Sequence, residues 1–63
     1  MLKMFARDAL RMAIDTERSG LDFYTRGAKL VQDARARKVF RRLGDEEQEH
    51  LGTLEARYRQ LLA

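Results

Sequence analysis

Apolar and polar residues alternate along this chain in two long runs with the three-and-four spacing of packed helices, and one polar break separates them. In the first run Ala6, Leu10, Ala13, Glu17, Gly20, Tyr24, Gly27 and Val31 share one face. A second stripe of Ile14, Leu21 and Ala28 lies beside it, with Phe23 and Leu30 flanking the other side. That apolar arc is wider than one neighbour needs, so helix one is expected to touch more than helix two. The second run repeats the pattern with Phe40, Leu43, Glu47, His50, Leu54, Arg57 or Tyr58, and Leu61. Between the runs, Gln32-Asp33-Ala34 is the strongest turn signal, and Asp33 is a good N-cap for the second helix. The chain contains no proline. The pattern predicts an all-α hairpin with helix one over about 3–31, a turn at about 32–34 and helix two over about 35–62.

Length changes this picture. A chain of 63 residues has room for one domain, and a domain of that size buries only about 60% of its unfolded surface. Such chains gain stability from disulfides, a metal or a partner subunit. The absence of cysteine removes the first and also excludes a thiolate zinc knuckle, a thiol nucleophile and a rubredoxin-type iron site. The expectation is an antiparallel two-helix hairpin that dimerises, or assembles further with its own kind, into a four-helix bundle. Each glycine inside a helix costs about 1 kcal/mol relative to alanine. Gly20 and Gly27, on or next to the seam, are expected to allow a close helix approach or space for a bound group, whereas Gly44 and Gly52 lie beside the second seam.

Charge and hydropathy narrow the setting. No apolar run approaches the roughly 18 residues of a membrane span, and the segment from Met1 to Asp8 becomes charged too soon for a signal peptide. A cytoplasmic protein with no membrane contact is expected. The net charge of +3 permits a phosphate partner. The basic cluster of Arg35, Arg37, Lys38, Arg41 and Arg42 reads as a solvated helix face without an aromatic stacking platform, so nucleic acid is not an expected partner.

Three ionisable residues interrupt the apolar seams. Glu47 and His50, at i and i+3, project from one face of helix two, which is metal-ligand spacing. Glu17 sits mid-seam in helix one, where an unpaired carboxylate is costly to bury. It lies 16 residues before Asp33, while Glu47 and His50 lie 14 and 17 residues after it. At about 1.5 Å of rise per residue, the three reach nearly one height. Oxygen ligands with one imidazole suit iron, with manganese or zinc also accommodated. One set is too few for a two-metal cage, but a two-fold pair would supply four carboxylates and two histidines, the ligand count of the ferritin-like carboxylate proteins. The alternative is a metal-free dimerisation module, in which the same three residues form a buried hydrogen-bonded network that fixes register.

The run from Ala13-Ile14-Asp15-Thr16-Glu17 through Gly20 to Phe23-Tyr24, followed by Phe40-Arg41-Arg42-Leu43-Gly44-Asp45-Glu46-Glu47-Gln48-Glu49-His50, resembles the rubrerythrin branch of the ferritin-like superfamily over about residues 9–56. The resemblance implies that Glu17 is a metal ligand from helix one, Glu47 a metal-bridging carboxylate and His50 the nitrogen ligand of a di-iron centre. Tyr24 matches a tyrosine beside the ligands, and two helical turns from Glu17 its hydroxyl would orient a ligand carboxylate; a plain core tyrosine is the other reading. The implied activity is oxidoreductase chemistry, either ferrous-iron oxidation or reduction of peroxide or oxygen. The chain departs from a full rubrerythrin in having one helical pair and no cysteine-ligated iron domain. In that respect it is more similar to the short encapsulated ferritin-like proteins, whose two-helix chains build an iron-oxidising site across a subunit interface. Related pairs also occur attached to other domains: the ending Leu61-Leu62-Ala63 fits an excised domain and Met1 a free-standing chain. Asp15, Asp22, Asp45, Glu46 and Glu49 are expected to face solvent, and Met4 and Met12 to fill core space.

Overall fold

The computed structural model describes residues 2–63, with side chains from Phe5 onward. Two helices, α1 (Leu2–Leu30) and α2 (Ala34–Leu62), pack side by side and antiparallel, and the described residues contain no strand. The helix expected from about 35 starts one residue earlier because Asp33, in an extended conformation, accepts a hydrogen bond from the backbone N–H of Ala36 at 3.0 Å. This satisfies one of the four amide donors that a helix start leaves free. At the other side of the turn, the Arg37 guanidinium donates to the Val31 carbonyl at 3.1 Å, tying the start of α2 to the end of α1.

Among the described residues only Ile14 and Leu51 are buried, each with 6% of its surface exposed. The contact between the helices takes in both stripes of α1: Ile14 is buried, Leu21 and Ala28 are half-buried beside it, and Gly20 and Gly27 of the predicted seam face Glu47 and Phe40 of α2. Leu51 is a core residue that the predicted seam of α2 passes over in favour of His50, whereas Leu43, Leu54 and Leu61 of that seam are half-buried. Met12 is corrected too: it is 71% exposed and fills no core within the hairpin. Met4 lies outside the described side chains.

Each residue turns a helix by about 100°, and the two helices run in opposite directions. Ala13, Gly20 and Gly27 of α1 therefore share one broad face with Val39, Leu43, His50 and Leu61 of α2. The reverse face carries Arg11, Arg18, Thr25 and Lys29 opposite Arg41, Gln48, Glu55 and Arg59. On that reverse face Arg18 and Glu55 form a cross-helix ion pair at 2.8 Å. Beyond the first face, Phe5, Met12, Phe23 and Leu30 line the outer side of α1, all at least 64% exposed.

The rod measures 49 × 14 × 11 Å. It exposes 5368 Å², whereas a compact monomer of 7.4 kDa exposes about 4,200 Å². The excess exceeds the roughly 800 Å² that each partner covers in a standard protein interface. No described helix is long and apolar enough to cross a membrane.

Candidate metal centre

Two helices with a common height bring together what the sequence separates by 30 residues. Glu17 from α1 and Glu47 and His50 from α2 each place one donor atom so that all three lie within 4.8 Å of one another. Their burial is graded: Glu17 is half-buried, the Glu47 side chain is only 19% exposed, and the His50 side chain is 61% exposed on the broad apolar face. The cluster thus sits on the rim of the interhelical seam, with its inner wall in the protein and its imidazole outermost.

Glu47 holds the most constrained position. One carboxylate oxygen, Oε1, lies 3.9 Å from Nδ1 of His50, too far for a hydrogen bond. The other, Oε2, is buried and has no hydrogen-bond partner. It packs against Gly20, where an added Cβ would stand 3.4 Å away. Gly20 thus lies against the Glu47 side chain of the neighbouring helix. At Gly27 a Cβ would meet the Phe40 ring at 2.8 Å, so only glycine permits the observed approach of α1 and α2.

A buried carboxylate oxygen without a donor costs free energy that a cation or proton recovers. Two carboxylates and an imidazole, all near one point and with that oxygen unsatisfied, form a donor set that fits a hard or borderline divalent metal such as iron, manganese or zinc. Three protein donors leave coordination positions unfilled, and the exposed side of His50 is where further ligands would have to arrive.

Tyr24 lies elsewhere in the network. Its ring belongs to an aromatic cluster with Phe23 at 5.6 Å and Phe40 at 6.3 Å between centroids, and no hydrogen bond joins it to Glu17 or Glu47 among the described residues. Asp15, Asp22, Asp45, Glu46 and Glu49 are exposed or at most half-buried, with Asp22 paired to Arg26 at 3.1 Å. Tyr24 and Phe40 line one groove with Lys29, Arg37 and Arg41 on the reverse face. The available signal was the four-residue spacing of Arg37, Arg41 and Asp45 around Phe40 and Gly44.

Comparison with protein-family models, curated proteins and solved structures returns no match to this chain.

Proposed function

We propose that this chain is a di-iron-binding module of the ferritin-like, rubrerythrin-related kind, acting as a cytoplasmic oxidoreductase on ferrous iron or on peroxide or oxygen, with its metal site shared across a homodimer. The observation that carries this reading is the buried, partnerless Oε2 of Glu47 in a cluster with Glu17 and His50, on a hairpin that leaves Phe5, Met12, Phe23, Leu30 and Val39 exposed. Pairing two hairpins through that exposed surface would bury the excess apolar area and set two such clusters against each other, completing a four-helix bundle.

In this reading Glu47, the innermost donor, and Glu17 from α1 would hold the iron through their carboxylates, and His50 would supply the nitrogen donor. Neither imidazole nitrogen is committed to Glu47, because 3.9 Å is beyond hydrogen-bond range. Bound iron would supply the one-electron changes between ferrous and ferric states that reduction of oxygen or peroxide requires. The protein contributes ligand orientation, charge compensation by the carboxylates and exclusion of bulk water by the covered apolar face. Tyr24 takes the plainer of its two expected roles in this reading, a core aromatic packed with Phe23 and Phe40.

The uncovered surface also favours a second reading, a metal-free dimerisation module in which Glu17, Glu47 and His50 fix the register. That reading requires a proton on the Glu47 carboxyl or a hydrogen bond to it from within the Glu17, Glu47 and His50 cluster. Anaerobic titration of metal-free protein with ferrous iron separates the two. The di-iron reading predicts about one iron per chain, with binding lost in Glu47→Ala and in His50→Ala. Self-association without iron uptake would establish the structural module instead.

A further inference from the structure

On the reverse face the two helices flank an open groove of about 690 Å³ near the turn. Small-molecule sites commonly occupy roughly 300–1,000 Å³. Leu21 and Ala28 of α1 and Gly44 of α2 give it an apolar floor, and Tyr24 and Phe40 add aromatic surface. Cations come from both walls: Lys29 from α1, Arg37 and Arg41 from α2. Asp45 is the one carboxylate in the lining, and Thr25 and Gln48 offer neutral hydrogen-bonding groups.

One of the three cations is fixed, and the other two are exposed. Arg37 is part-buried and anchored by its bond to the Val31 carbonyl at 3.1 Å, which leaves most of its five N–H donors for another acceptor. Lys29 and Arg41 take part in no ion pair among the described residues. Three cations facing one carboxylate over an apolar floor are stabilised by an anion that also carries a flat apolar body. The remaining basic residues of the cluster, Arg35, Lys38 and Arg42, do not line the groove. The arrangement is therefore a bounded site and lacks the continuous cationic track that follows a nucleic-acid backbone.

We infer that this groove binds a small phosphorylated aromatic molecule of the mononucleotide class, with its ring against Tyr24 and Phe40 and its phosphate held by Arg37 and Arg41. The inference is independent of the metal site, since it uses the opposite face. Isothermal titration of the full chain with adenosine monophosphate and with flavin mononucleotide tests it, with adenosine, inorganic phosphate and a short single-stranded oligonucleotide as comparisons. Expected is saturable binding of at least one mononucleotide with a dissociation constant at or below about 1 mM. Arg41→Gln should weaken it about tenfold, whereas Arg42→Gln, outside the groove, should leave it unchanged, with helicity by circular dichroism intact in both. The inference is overturned if neither mononucleotide saturates, if inorganic phosphate or adenosine binds as tightly, if only the oligonucleotide binds, or if the two arginine variants weaken binding equally.

Discussion

At the scale of single residues, the proposed ligand Glu47 opposes the stability of the hairpin. Its buried Oε2 has no donor within the hairpin and rests against Gly20, so the metal-free protein carries an uncompensated polar atom. Glu47→Leu should therefore raise the thermal midpoint of the metal-free protein, by about 1–3 kcal/mol of unfolding free energy, while abolishing metal uptake. Chemical denaturation of metal-free wild type and variant reads the first effect and ferrous titration the second. A destabilised variant would mean that the carboxylate is already satisfied, by a proton or by the partner. The common height of Glu17, Glu47 and His50 was legible from their distances to Asp33, because helical rise converts sequence separation into length. Their graded burial was not. It depends on which flank of α1 meets α2, and a wide apolar arc leaves that undetermined.

At the scale of helices, two glycines of the same composition act in opposite ways. An added Cβ at Gly27 would collide with the Phe40 ring at 2.8 Å, whereas one at Gly52 would meet nothing within 4 Å. Gly27→Ala should destabilise the fold by about 1–3 kcal/mol through forced separation of the helices, and Gly52→Ala should stabilise it by up to about 1 kcal/mol through helix propensity alone. Urea midpoints of the two variants, measured side by side, check the pair; equal effects would remove the claim of close approach at Gly27. The helix limits were legible because periodicity ran unbroken to a single capped turn at Asp33. The core was less so. The three-and-four pattern fits two frames one residue apart, and packing draws on both: Ile14 and Leu51 are the buried residues, while Gly20 and Gly27 of the other frame face Glu47 and Phe40. Likewise, the pairing of Tyr24 and Phe40 with the cations of the reverse face depends on antiparallel register, which no local pattern within either helix encodes.

At the scale of the whole molecule, the hairpin is an elongated rod with two buried side chains and a surface well above that of a compact monomer. Its apolar residues are divided between an intrachain contact and a broad face that the chain itself does not cover, and the cluster of Glu17, Glu47 and His50 lies on the border between the two. Stability and metal chemistry are on this account one property, since the surface that needs a partner is also the surface on which the ligand set is incomplete. Sedimentation velocity of iron-loaded protein across a dilution series, following protein and iron absorption together, tests that link most directly. The account predicts that iron travels only with a species of at least about 14.8 kDa, twice the 7.4 kDa chain, and is released in step with dissociation. Iron retained on a 7.4 kDa species would contradict it.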